Sequence, residues 1–387
     1  MPLPALLSVS RPGLAAFAAM GVLWGTFAAA LPDIKAQLGV AEGELGLLLL
    51  ATPMAAVAAM LLAPAISGGL GRVALPVSCL VMAAAFVLPG QVSVAALFPL
   101  AMICCGIGTG LTDVLMNARV AEIENRRGLH LMNLCHAAYS FGYAGGALAT
   151  GAMRAAGWGP AWVLGTMAAV AAGLALASAE RDGRIFGLRR PKGAGATGLG
   201  LVPLIGGGIV LIAFLTENAA ESWSALHIEK TLGGSPAEGA MGPAVLALTM
   251  GIARLGGQGL ASRIAPAALL TGGAVVSACG ALTAAAAVSP AMAYAGFIVM
   301  GIGSSVIAPT AFSLTGRLAA PEARARAVAR ATLLGYFGYF IGPPGVGFVA
   351  GLFGLRAAFV AAAIMLGAVL VLAPLMARVS ERQVVRA

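Results

Sequence analysis

Twelve times along this chain the sequence runs apolar for long enough to cross a lipid bilayer, which takes about 20 residues of α-helix. The runs fall at about 12–32, 45–66, 73–92, 94–118, 129–153 and 158–179, then at about 201–225, 239–261, 266–287, 291–316, 326–351 and 354–377. Of the 387 residues, 60% are hydrophobic and only 10% are charged, against roughly 25% charged in soluble domains. So few charges cannot clothe a globule in water, whereas a lipid-facing surface needs none. The expected fold is therefore an all-α membrane protein of 12 transmembrane helices. No catalytic or nucleic-acid-binding domain has room outside the spans, so the chain reads as neither an enzyme nor a nucleic-acid binder.

The runs divide six and six around "ERDGRIFGLRRPKGAGATGLG" at 180–200, an Arg- and Gly-rich stretch that cannot span and reads as a linker. This gives an N-terminal six-helix bundle over 12–179, a linker over 180–200, a C-terminal bundle over 201–377 and a tail over 378–387. If the N-terminus is cytoplasmic, 18 of the 23 Lys and Arg lie in inside segments and only Lys35, Arg154, Lys230 and Arg356 outside, leaving Arg254 within a span. That asymmetry orients both termini and the linker toward the cytoplasm. The Ala-rich N-terminus lacks a clear cleavage site, so an uncleaved first helix is expected rather than a signal peptide. Cys79, Cys104, Cys105, Cys135 and Cys279 all sit in apolar stretches without metal-ligand spacing and read as small buried apolar residues.

The halves echo each other. "GIGTGLTD" (106–113) matches "GIGSSVIA" (301–308), and "YSFGYAGG" (139–146) matches "GYFGYFIG" (335–342), both at offsets of about 195–196 residues. Two echoes in register imply a duplicated six-helix unit in parallel orientation, with a polar cavity between the copies at mid-depth. GxxxG spacings at Gly106/Gly110, Gly142/Gly146, Gly338/Gly342 and Gly347/Gly351 let helix backbones meet. The "GPPG" at 342–345 removes helix hydrogen bonds and offers a kink.

The six-plus-six plan, the basic central loop and the paired loops "SGGLGRVAL" (67–75) and "ASRIAPAAL" (261–269) resemble the major facilitator superfamily over the whole chain. "TDVLMN" (112–117), "LMNLCHAAYSFG" (131–142), "ENAAESWSAL" (217–226) and "IGPPGVG" (341–347) resemble its fucose-permease-like branch, which includes many bacterial inner-membrane members. The resemblance implies that Asp113 corresponds to a fourth-helix acid used for proton coupling or substrate binding. It also places His136 where the branch carries a polar residue in helix five, and Glu217 where less characterised members carry Glu before a Trp. The helix-one acid of the sugar permeases would fall on Ala28, ahead of Pro32, so a fucose-type coupling scheme does not transfer whole.

A charge at bilayer depth costs roughly 2.5–3.5 kcal/mol on insertion scales, so it must face a cavity or a partner. Asp113 stands six residues before Arg119, about 9 Å from the helix end, with Asn117 one turn on. It is either a polar packing contact or a protonatable cavity carboxyl group. His136 lies at a similar depth in the next helix and is either hydrogen-bonded structure or the partner of Asp113, with Tyr139 near its face. Glu217, Asn218, Glu221 and Trp223 close helix seven. Glu217 reads as a cavity residue and Glu221 as a cavity or solvated helix end, while Trp223 would stack on a sugar or anchor at the interface. Arg254 reads as a gate residue, paired with Asp113 or with helix-end carbonyls, or as the binder of an anionic group.

The expected activity is therefore proton-coupled symport of a small polar solute, sugar-like or an organic acid. Proton-driven export of metabolites or drugs is the alternative, and a transport-dead sensor or scaffold comes third. The proton-coupling candidates are Asp113, His136 and Glu217; the substrate-binding candidates are Asn117, Tyr139, Asn218, Glu221 and Trp223. Arg254 is the gate candidate. The expected partners are a small molecule, protons and the bilayer, with no cofactor and no metal, for a monomeric multi-pass protein of a bacterial inner membrane.

Overall fold

A computed structural model describes residues 3–129, 131–185, 200–256, 263–319 and 324–384. Most of the linker, 186–199, lies outside the described residues. In chain order the helices are α1 (Leu3–Leu38), α2 (Glu42–Leu49), α3 (Ala51–Leu70), α4 (Ala74–Ala85), α5 (Leu88–Gln91), α6 (Phe98–Arg127), α7 (Met132–Ala155) and α8 (Pro160–Ala177). The second half supplies α9 (Val202–Leu226), α10 (Pro236–Gly256), α11 (Pro266–Ala286), α12 (Pro290–Leu318), α13 (Arg324–Phe353) and α14 (Leu355–Val384). Helices α2 and α3 form one span, and α4 and α5 another, so the described helices make twelve crossings. Among the described residues ten stretches are long and apolar enough to qualify by composition alone, and one of them, Glu42–Gln91, is 50 residues long and holds two crossings. The remaining crossing, α7, is diluted by Asn133, His136, Tyr139, Tyr143 and Arg154. α14 runs on to Val384, so the expected tail is largely a helical extension of the last span.

Local chemistry sets several helix starts. Proline occupies the first turn of α6, α8, α9, α11 and α12, where its missing N–H costs nothing and its fixed φ suits a helix. The Ser289 side chain caps α12 by accepting from Met292 N at 3.4 Å. Gly128 ends α6 at a φ of 63°.

Packing repeats across the two halves. α1 packs on α7, α3 on α6 and α4 on α8 in the first half; α9 packs on α13, α10 on α12 and α11 on α14 in the second. The duplicated unit inferred from the echoes is thus present as repeated helix pairing. The small-residue spacing serves it: a Cβ at Gly142 would stand 2.5 Å from Ala18 O, so only glycine lets α7 lie this close to α1. Large apolar side chains such as Leu61, Trp162 and Ile364 are 71–77% exposed on the outside of the bundle, as a lipid-facing surface requires. The cysteine expectation needs correction on two counts, because Cys104 and Cys279 are exposed while Cys79, Cys105 and Cys135 are buried. A thiol behaves as a small apolar group, which lipid tolerates as well as a core does.

The end of the first half and the first residues of the linker are tied to the bundle. Arg119, 5% exposed, pairs with Glu180 at 2.8 Å and Glu122 at 3.2 Å and donates to Asp182 O, while Arg11 donates to Ala177 O and Ala179 O. The halves meet through α1 with α9 and α10, α7 with α10, and α2 and α3 with α13.

Candidate functional site

Between the halves lies a cavity of about 690 Å³, walled by α1, α3, α6 and α7 on one side and by α9, α10, α12 and α13 on the other. It gathers eight of the nine residues singled out in the sequence: Asp113, Asn117, His136, Tyr139, Glu217, Asn218, Glu221 and Arg254. Trp223 is the exception and corrects the expectation of a stacking or interfacial role. It is fully buried, in the core that α1 and neighbouring helices share with α9. At 100° per residue, Glu217, Asn218, Glu221 and Ser222 share one broad face of α9 and residue 223 turns away from it. Ala28, where the sugar permeases carry an acid, lines the cavity as an apolar wall.

The partners also differ from those expected. Asp113 does not pair with His136. Its carboxylate accepts from Asn117 Nδ2 at 3.0 Å, one turn along the same helix, and from Tyr336 OH at 2.8 Å, on the opposite half. His136 instead sits edge-on to Phe17, ring centroids 4.8 Å apart, at the cavity wall. Among the described residues Arg254 reaches neither Asp113 nor a helix end; its Nη2 meets Glu217 Oε1 at 3.3 Å. Glu221, one turn beyond Glu217, makes no side-chain hydrogen bond or ion pair among the described residues. The second bond that crosses the seam here is weaker: Tyr143 OH donates to Glu221 O at 3.5 Å.

Aromatic side chains complete the walls. Trp24, Phe27, Tyr139 and Tyr143 come from the first half; Phe214, Phe312, Tyr336 and Tyr339 come from the second, with Phe214 and Tyr339 stacked at 4.9 Å. Tyr336 and Tyr339 were not singled out in the sequence, although the repeat carries the signal: at an offset of 196 residues, Tyr339 is the counterpart of Tyr143.

The sequence reading also missed the far end of the bundle, away from the termini and linker. There α9 widens into a π-helical turn over His227–Thr231, which brings Glu229 beside Arg154 of α7. The Arg154 side chain, 1% exposed, grips Asp33 of α1 with Nε and Nη2, both at 2.6 Å, and Glu229 with Nη1 at 2.6 Å and Nη2 at 3.0 Å. It also donates to Ala29 O at 2.8 Å and Pro236 O at 3.5 Å. Asp33 and Arg154 belong to one half, Glu229 and Pro236 to the other, so this cluster latches the halves together. Nearby, a Cβ at Gly347 would stand 2.6 Å from Glu42 O, so α13 closes directly onto α2 just beyond the Pro343–Pro344 pair. The signal for the latch was a buried-depth Arg among only four outside bases, with acids at the matching ends of helices one and seven.

Comparison with known proteins agrees with this architecture. The family model described as Major Facilitator Superfamily matches residues 206–387. An uncharacterised MFS-type transporter of Yersinia pestis is 30% identical over 354 residues, which cover 91% of each chain. The chain belongs to the major facilitator superfamily, whose members carry small molecules across membranes and are not enzymes. Among solved structures, a bacterial homologue of the human lysosomal transporter Spinster, inward-facing and unoccupied, superposes with a TM-score of 0.78 at 17% identity, covering 99% of both chains. The fucose:proton symporter of E. coli shares the fold at a TM-score of 0.56 and 15% identity, covering 94% of this chain and 98% of that one.

Proposed function

We propose that this membrane transporter is a proton-coupled symporter of a small polar solute, a monomer that works by alternating access in a bacterial inner membrane with both termini cytoplasmic. The distribution of 18 bases to one side and four to the other supports the orientation. With that orientation the Arg154 latch closes the outer end, and the Spinster homologue compared above is likewise inward-facing. The observation that carries the coupling is the Asp113–Tyr336 hydrogen bond, in which a carboxylate of one half holds a hydroxyl of the other at the cavity wall. A charged acceptor makes a stronger hydrogen bond than a neutral one. Protonating Asp113 therefore loosens a bond across the seam along which the halves must move. Asn117 positions Asp113, His136 and Glu217 are the other titratable walls, and Tyr139, Asn218 and Glu221 contact the solute. Arg254 restrains Glu217.

The test is uphill flux in proteoliposomes, using whichever of a panel of sugars, polyols, organic acids and organic cations stabilises the purified protein most. An acid exterior should drive the solute inward and an acid interior should drive it out. Asp113→Asn should lower pH-driven flux at least about tenfold while solute-for-solute exchange continues, about 1.4 kcal/mol of lost coupling. Unchanged pH-driven flux in that variant would remove Asp113 from the mechanism, and expulsion of solute against an inward proton gradient would identify an exporter.

A further inference from the structure

The charges and hydrogen-bonding groups of the cavity specify its solute more narrowly than "small and polar". Three carboxyl groups, those of Asp113, Glu217 and Glu221, face the space, against the single guanidinium of Arg254. That guanidinium is engaged with Glu217, so among the described lining residues no Lys or Arg is left over for an anion. Asp113 is satisfied by Asn117 and Tyr336. Glu221 has no side-chain partner among the described residues and is only part-buried on the cavity wall, so its carboxylate is open to a cationic group. The aromatic faces of Trp24, Tyr139 and Tyr143 on the opposite wall add a surface that attracts cations.

A separate observation concerns neutral hydrogen bonding. Thr52 is 6% exposed and lines the cavity, yet its Oγ1 has no hydrogen-bond partner among the described residues. Thr109 Oγ1 and Asn218 Oδ1, also on lining residues, are likewise unpartnered. Buried polar atoms of this kind are normally satisfied. These oxygens are covered in this conformation, Asn218 Oδ1 lying toward Gly342 of α13, so a solute meets them only after a side-chain rotation; Thr52 and Thr109 belong to the first half and Asn218 to the second, and one solute with several hydroxyls would then engage both halves.

We infer that the solute is a hydroxylated organic cation, an aminated polyol or amino sugar whose protonated amine sits against Glu221 and whose hydroxyls draw Thr52, Thr109 and Asn218 into hydrogen bonds by side-chain rotation. This rests on the transport reading and deepens it. The proton site at Asp113 and the amine site at Glu221 are different carboxyl groups, so both can be filled together, as symport requires. An organic acid, one of the solutes expected from the sequence, would face the carboxyl groups without a free base to receive it.

Three probes of the same six-carbon polyol skeleton isolate the charge: glucamine, protonated at neutral pH, sorbitol, neutral, and gluconate, anionic. Binding to the purified full-length protein in detergent is read by thermal stabilisation, which needs no flux. Glucamine should stabilise at a concentration about tenfold lower than sorbitol, the scale of one charge-assisted hydrogen bond, and gluconate should not stabilise. Glu221→Gln should erase the difference between glucamine and sorbitol, and Glu221→Asp, which keeps the charge, should retain part of it. Equal binding of sorbitol, stabilisation by gluconate, an undiminished glucamine preference in Glu221→Gln, or no stabilisation by any probe would each overturn the inference. The transport reading fails separately, on the absence of pH-driven flux, whichever way the three probes sort.

Discussion

Two arginines stand between the halves of this transporter, and each faces two carboxyl groups. Arg154, at the end away from the linker, is saturated: four contacts of 2.6–3.0 Å to Asp33 and Glu229, and two backbone carbonyls besides. Arg254, in the cavity, has one contact of 3.3 Å to Glu217, and the neighbouring Glu221 has none. The same inventory of charges has been spent in one place and held back in the other. A saturated cluster has nothing to offer a ligand and serves to hold the halves together. An unsaturated one leaves hydrogen-bonding capacity for a solute to fill.

Removing Arg154 should give the largest effect. Arg154→Ala strands two acids at the seam, and breaking a buried pair on one side costs about 3–5 kcal/mol. Because the Asp33 side chain is 35% exposed, solvent relieves part of that, and the lower end of the range is expected. The melting midpoint should fall, and the far end should become accessible to thiol reagents at an introduced Ala29→Cys. Adding Asp33→Asn and Glu229→Gln to the same chain should restore most of the stability without restoring closure. If the single variant melts like the parent, the latch is an ornament and the contrast between the two arginines collapses.

Neutralising the cavity acid tests the other side. In Glu217→Gln, Arg254 loses one long contact, and Glu221 stands one turn away as a replacement partner. The stability change should stay within about 1 kcal/mol, while glucamine binding weakens because Glu221 is now drawn to Arg254. A loss of stability as large as that of Arg154→Ala would mean the cavity cluster is as structural as the latch.

Which parts of this were legible in the sequence follows from the physics each part depends on. Span number, the halves and the duplicated packing are set by composition, period and glycine spacing, all local properties of the chain. Eight cavity residues were legible because an intramembrane polar group has so few tolerable environments. The pairings were not. Sequence order offers His136 or Arg254 as partners for Asp113, whereas Tyr336 comes from 223 residues away, across an interface the hydropathy pattern cannot register. The sequence groups Trp223 with Glu217 at the end of α9, but the helix turns it from that face into the core. For Arg154 the signal is present but spread over three distant segments, a deep Arg in helix five and acids ending helices one and seven, so that only the fold brings it together.

The smallest effect should come from the ion pair closest to the latch. Lys35 Nζ lies 3.0 Å from Glu42 at the same end of the bundle, with side chains 16% and 27% exposed. Partly exposed pairs of this kind contribute about 0–1 kcal/mol, so Lys35→Ala should barely move the melting midpoint. The more telling point is topological. Lys35 ends α1 and Glu42 begins α2, so both partners travel with the first half whatever the second half does. Breaking this pair should leave the reactivity of a cysteine at position 29 unchanged, whereas breaking the Arg154 cluster a turn away should raise it. Two ion-pair sites at one end of the molecule would then differ in whether they cross the seam, the property that separates a latch from a local stabiliser. If Lys35→Ala also opened the far end, closure would depend on the summed charge of that end, and the particular geometry around Arg154 would lose its claim to be the latch.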